Sequence, residues 1–307
     1  MYMQFYNLRE RPFNLAPDPK FLYEGESHKV ALAYLAYAVT ARRGFMVLTG
    51  EVGTGKTTLL HALLEKLDAR TETVFIFNPL LGAKGFFKFI CIQLGIQVKN
   101  HTKADCFLEI YHFLIESHRK DRNVVLIIDE AHKLSPSLLE EIRLLSNFET
   151  ADNRLLQIIL VGQPELNCTL TLPKCRPLKQ RISLWSYIHP LNQQETGEYI
   201  RSRLRRAGLE TPCFTQEAID EVFHYSKGIP RLINILGDNS LHVGYAMNEK
   251  EINQRVVREA VAELEDYEAR SLGPTSSPYP SGSTWSYPRA GNRKTSRPRP
   301  KTTKKNT

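Results

Sequence analysis

The run Gly50-Glu51-Val52-Gly53-Thr54-Gly55-Lys56-Thr57 fits the pattern G-x-x-x-x-G-K-[ST], and nothing else in the chain constrains its fold as tightly. It directly follows the apolar stretch FMVLTG and opens the helical pattern TTLLHALLEKLDA. That strand-to-helix context separates a phosphate-binding loop from a chance glycine-rich turn. Glycines let the backbone wrap closely around phosphates, whose charge meets amide N–H groups and the positive end of the helix dipole. Gly50, Glu51, Val52, Gly53, Thr54, Gly55, Lys56, Thr57 and Thr58 are therefore expected to bind nucleotide. Lys56 is assigned to the β and γ phosphates and the Thr57 hydroxyl to Mg²⁺. ATP and Mg²⁺ are the expected cofactors.

A second motif, VVLIIDEAH, is a buried strand ending in two adjacent carboxylates. In phosphate-loop enzymes an acid at this strand's end helps to hold Mg²⁺, which assigns Asp129 as a metal ligand. Glu130 is then placed to orient and polarise the attacking water as a general base. His132 completes the letters Asp-Glu-Ala-His, which also mark a class of helicases. Those enzymes need a second sheet domain to grip nucleic acid, and the roughly 110 largely helical residues that follow cannot supply one. His132 is read instead as a residue of a helix N-terminus.

FMVLTG (45–50), TVFIF (73–77), VVLIID (124–129) and LLQIILVG (155–162) are short, β-branched and apolar on both faces, as strands of a covered parallel sheet should be. Amphipathic helical patterns lie between them, so the fold class is α/β with a parallel sheet flanked by helices. After about residue 190 the expected strands stop and QQETGEYIRSRLRRAG, TQEAIDEVFHYSKG and PRLINILGDNSLHVGYAMN read as helices. The expected division is a nucleotide-binding domain at 1–190, a small C-terminal helical lid at 191–270 and a tail at 271–307.

The tail is rich in Pro, Ser, Gly and Thr and nearly free of aliphatic residues, a composition that cannot bury enough apolar surface to offset its ordering entropy. It is read as disordered. Arg289, Arg293, Lys294, Arg297, Arg299, Lys301, Lys304 and Lys305 lie in it with no acid, and the formal net charge of the whole chain is +8, so the preceding residues are balanced. Those positive charges could hold DNA by counterion release, rest on an anionic membrane surface, or serve solubility. No stretch approaches the roughly 18 apolar residues of a membrane span, and the five cysteines have no paired spacing, so a cytoplasmic setting is expected.

Together, FYNLRERPFNLAPDPKFLY, GFMVLTGEVGTGKTTLL, VVLIIDEAHKLSPSLLEEIRLLSNFET, LLQIILVGQPEL, LKQRI and GIPRLINILGD resemble the AAA+ ATPases of the general secretion pathway protein A (ExeA-like) family, over roughly residues 1–265. The resemblance implies an AAA+ type of P-loop NTPase that hydrolyses ATP to ADP and phosphate. It places Gln163 as the polar residue sensing the γ-phosphate or the water, and Arg231 as the arginine of the lid that reaches nucleotide. Arg181 falls at the position of an arginine finger that completes a neighbour's site, with Arg176 close enough to compete. A finger implies a homo-oligomer, a ring or helical filament. Asn14 to Pro19 resembles the segment that leads to the adenine, although Phe13 and Phe21 are read as packing on the sheet domain. The implied work is nucleotide-driven remodelling of a protein client in secretion or surface-polymer export. The alternative is an ATP-gated, DNA-assembling regulator of a transposase.

Overall fold

The computed structural model describes residues 1–77, 79, 82–98, 102–150 and 153–272. The expected tail at 271–307 lies outside them, except for Ser271 and Leu272 at the end of the last helix. Met1–Leu264 forms one compact unit, and the described residues after it, 265–272, complete the last helix.

Strands β1 (Phe45–Gly50), β2 (Thr71–Ile76), β3 (Asn123–Ile128), β4 (Leu156–Gly162) and β5 (Ile182–Ile188) form a parallel sheet in the order β2-β3-β4-β1-β5. Helices α1 (Tyr2–Phe5), α2 (Glu26–Thr40), α3 (Lys56–Lys66), α4 (Ala83–Gln93), α5 (Lys103–Arg119), α6 (Pro136–Leu145), α7 (Glu165–Thr171) and α8 (Arg176–Lys179) precede β5 or connect the strands. Helices α9 (Gln193–Arg206), α10 (Gln216–Ser226), α11 (Pro230–Ala246) and α12 (Gln254–Leu272) follow it.

Because side chains of a strand alternate between faces, the apolar runs fill two cores. Phe45, Val47, Leu126, Ile128, Ile158 and Leu160 join Phe86, Phe87, Ile110, Leu114 and Ile142 of α4, α5 and α6 on one side. Met46, Leu48, Val125, Ile127, Ile159 and Val161 join Leu32, Leu35, Leu59, Leu60 and Leu63 of α2 and α3 on the other. Both faces are covered, which explains why β1 and β4 are buried at every residue.

β5 corrects the expected strand set. Its burial is uneven, with Ser183 and Ser186 in the strand and Trp185 41% exposed, because it is an edge strand paired with β1 alone. Packing on both faces is what makes a strand uniformly apolar, and an edge strand lacks it.

Helices α9 to α12 build a third core from Ile200, Leu204, Ile219, Val222, Ile233, Leu236 and Val256, and the chain's own N-terminus enters it through Tyr2, Tyr6, Leu8 and Phe13. The expectation that Phe13 packs on the sheet is therefore overturned: its ring is 2% exposed and meets Phe214 edge to face at 6.1 Å. Phe21 lies beneath the guanidinium of Arg203, 5.0 Å from its ring centre, in the short turn Pro19–Phe21 that also meets α3 of the sheet domain. If Phe13 anchors the N-terminal segment in the helical core, Phe13→Ala should cost about 3–5 kcal/mol in denaturant unfolding. A loss below about 1 kcal/mol, the range of surface substitutions, would show that the anchor is dispensable.

Candidate nucleotide site

Parallel strands aim their carboxyl ends at one edge of the sheet, where open α/β folds bind ligands. The register pairs Thr49 of β1 with Gly162 of β4, and Ile128 of β3 with Leu160 of β4. Gly50, Asp129 and Gln163 consequently emerge side by side. A pocket at this edge is lined by Val52 to Thr58, Glu130, Gln163, Arg231, and by Asn14 to Pro17 from the N-terminal segment.

Gly55 precedes α3 with φ 92°, and no side chain caps that helix. Its N-terminal dipole is thus left for an anion. By contrast, α5, α6, α9 and α10 are capped by Thr102, Ser135, Asn192 and Thr215. Lys56 is buried, and its Nζ donates to the carbonyls of Gly50 at 2.8 Å and Glu51 at 2.7 Å. Burial pulls its pKa below the ordinary lysine value, while the nearby carboxylates of Asp129 and Glu130 oppose that shift. Both carbonyl bonds are contacts that phosphate oxygens could replace.

The Thr57 hydroxyl donates to Asp129 Oδ2 at 2.7 Å, joining the two expected metal ligands. Two adjacent hard oxygens suit Mg²⁺, which characteristically takes few protein ligands and completes its shell with phosphate and water. Glu130 has φ 56° and ψ 31°, an uncommon conformation for a residue with a side chain. Its amide donates to Asp129 Oδ1 at 2.8 Å, so Asp129 fixes the turn that presents Glu130. The Glu130 carboxylate lies 3.2 Å from Lys133 Nζ and 3.5 Å from His132 Nε2.

His132 does more than begin a helix. Its Nδ1 accepts from the Gln163 amide at 3.3 Å, so the ring bridges the ends of β3 and β4. Arg231 stands in the first turn of α11, where its amide donates to the Gly53 carbonyl at 3.1 Å. A Cβ at Gly53 would come within 2.7 Å of Arg231 Cβ, so this close approach requires glycine. The Arg231 side chain is exposed at the pocket.

Arg181 and Arg176 are not brought to this pocket. The half-buried Arg181 donates from Nη1 to Ser146 Oγ at 2.9 Å, and Arg176 is exposed beside Leu170, Lys179 and Gln180. Conversely, His28, Leu191, Tyr199, Arg203 and Asn234 line the pocket without any motif to announce them. Arg203 lies in the run RSRLRR of a stretch read only as a helix. Its Nη1 donates to the Pro12 and Asn14 carbonyls at 2.8 and 3.2 Å.

The Lys56 ammonium is the charge expected to meet the phosphates. Lys56→Ala should therefore abolish measurable ATP binding in a titration calorimeter while the chain stays folded. Near-normal affinity in that variant would remove the phosphate loop from the site.

The comparisons with known proteins agree with this geometry. Residues 39–170 match the family model of an AAA domain. General secretion pathway protein A of Aeromonas hydrophila is 41% identical over 254 residues, covering 82% of this chain and 46% of that protein. The chain thus spans less than half of its relative. Among solved structures, the Aeropyrum pernix ORC2 protein in ADPNP-ADP complexes matches with a TM-score of 0.64 at 15% identity, covering 83% of this chain and 71% of that one. Drosophila ORC bound to DNA matches with a TM-score of 0.65 at 18% identity, covering 90% and 69%. At such identities these structures speak for the fold, while the secretion protein speaks for descent. The chain belongs to the AAA+ P-loop ATPases and is a relative of general secretion pathway protein A.

Proposed function

We propose that this chain binds Mg-ATP at the edge of β1, β3 and β4, hydrolyses it to ADP and phosphate, and uses nucleotide state to assemble and to remodel a protein client. The 2.7 Å bond between the Thr57 hydroxyl and Asp129, with Glu130 next in sequence and lining the same pocket, is the observation that carries this reading. Lys56 exchanges the Gly50 and Glu51 carbonyls for the β and γ phosphate oxygens. Thr57 and Asp129 hold Mg²⁺, which supplies charge neutralisation on the phosphates when bound. Glu130 orients a water and accepts its proton. Gln163 and Arg231 supply a polar and a cationic contact near the terminal phosphate, and Arg231, on α11, links that contact to the helical part of the chain.

Arg181 is proposed as the finger that completes a neighbouring copy's site, with Arg176 as the competing candidate. Their positions away from this chain's own pocket suit action between subunits. Such head-to-tail contacts generate a ring or a helical filament. Secretion is the setting favoured by the relative's name, and surface-polymer export is proposed beside it as the kindred setting. No helix among the described residues is long and apolar enough to cross a membrane. No disulfide is present among them either, which suits a cytoplasmic location. The second reading, an ATP-gated regulator assembling on DNA beside a transposase, rests on the basic composition after Arg289.

Glu130→Gln should still bind ATP yet lose at least about 100-fold in turnover, the lower range of general-base effects; an unchanged rate would take Glu130 out of the reaction. Arg181→Ala should be inactive alone and regain activity when mixed with Glu130→Gln, which carries an intact finger. Absence of recovery at every ratio would argue against a finger acting between subunits. Turnover that rises with duplex DNA in the full chain, but not in a chain ending at Leu272, would favour the second reading. Indifference to both DNA and tail would favour the export reading.

A further inference from the structure

One buried polar side chain that grips the phosphate loop belongs to none of the motifs. His28, in the first turn of α2, is 3% exposed and lines the nucleotide pocket. Its Nε2 lies 2.8 Å from the Thr54 carbonyl oxygen. A carbonyl can only accept, so Nε2 carries the proton. Burial holds the ring below the ordinary histidine pKa and so favours its neutral form. In that form Nδ1 is a bare acceptor, and it is buried with no hydrogen-bond partner among the described residues.

An unpaired buried acceptor is a standing cost that an apolar side chain would avoid. Packing therefore does not account for histidine here, whereas the bond to Thr54 does. A trans peptide points its C=O and N–H in opposite directions. Pulling the Thr54 carbonyl toward α2 consequently turns the Gly55 N–H away from α2. This is the amide immediately before Lys56, at the uncapped start of α3.

The loop's other internal ties cannot supply this restraint through a nucleotide cycle. The Lys56 bonds to Gly50 and Glu51 are the ones a phosphate would replace. The Thr54 hydroxyl and amide bonds to the Glu51 carbonyl, at 2.8 and 3.3 Å, the Arg231 amide bond to Gly53 and the Leu59 amide bond to the Gly55 carbonyl at 2.9 Å all fall on neighbouring groups, so none holds the Thr54 C=O or the Gly55 N–H itself.

We infer that His28 is a positioning residue of the nucleotide site, whose Nε2–H locks the Thr54–Gly55 peptide in the orientation that offers the Gly55 amide to a phosphate oxygen. The inference rests on the Mg-ATP reading of this pocket, and the test separates the two. Affinity for ATP and ADP and melting temperature would be measured on the full chain and on His28→Leu and His28→Gln. Wild type should bind both nucleotides. His28→Leu should melt no lower than wild type yet bind each about tenfold more weakly. His28→Gln, whose amide can reach and donate to Thr54, should recover most of that loss.

Should His28→Leu fail to fold, His28→Asn takes its place, because the shorter amide cannot reach Thr54. Equal affinity in wild type and in the variant without a donor would overturn the role of His28 while leaving the pocket reading intact. So would a loss that glutamine does not recover. Failure of wild type to bind ATP would overturn the pocket reading, and the inference with it.

Discussion

A buried ammonium needs partners, and Lys56 finds them in the carbonyls at the end of β1. Desolvating that charge without compensation would be costly, so the loop folds around it. The same two bonds place the cation at the start of an uncapped helix, where backbone and side chain together create a strongly anion-attracting volume. The surrounding features keep this arrangement in place. β1 is central, buried on both faces and paired on both edges, so Gly50 is presented from a rigid strand. β3 and β4 deliver Asp129 and Gln163 beside it because the register leaves no freedom to slip.

The other half of the pocket comes from segments distant in sequence. Arg203 of α9 stacks on Phe21 and Tyr199 at 5.0 and 5.2 Å while its Nη1 holds the carbonyls of Pro12 and Asn14. Arg206 donates to the Lys20 and Leu22 carbonyls, and Glu195 accepts from the Glu26 amide. The N-terminal segment is therefore clamped along α9 from Pro12 to Glu26. Since Arg231 of α11 touches the phosphate loop, the helical core meets the nucleotide pocket at two places, one along the strap and one at Gly53. A shift of that core on nucleotide binding would be felt at both.

The centre of this site was legible in the sequence because its chemistry is local. Lys56 and Thr57 lie in one contiguous loop, and Asp129 and Glu130 end one apolar strand, so spacing and context sufficed. The alternation of apolar strands and amphipathic helices likewise exposed the parallel sheet. The resemblance brought Gln163 and Arg231 forward, and both line the pocket. What escaped depends on contacts between distant segments. β5 is half-exposed and carries serines, so it lacks the uniform apolar run of its neighbours. Phe13 reads as one more apolar residue, with nothing local to say that its core is helical. His28 and Arg203 were hidden because a lone histidine and a basic run have no periodicity that reports burial. His132 was underrated for a related reason: its two partners, Glu130 and the Gln163 amide, converge only after β3 and β4 pair.

The proposed chemistry turns on the phosphate loop being a preformed Mg-ATP site held by internal bonds that stand in for those to phosphate. A structure of the chain with Mg²⁺ and a non-hydrolysable ATP analogue is the decisive experiment. Lys56 Nζ should then lie on phosphate oxygens instead of the Gly50 and Glu51 carbonyls, and the Thr57 hydroxyl should turn from Asp129 to the metal, with the backbone of residues 50–58 otherwise unmoved. Nucleotide bound elsewhere, or bound here with Lys56 still on those two carbonyls, would contradict it.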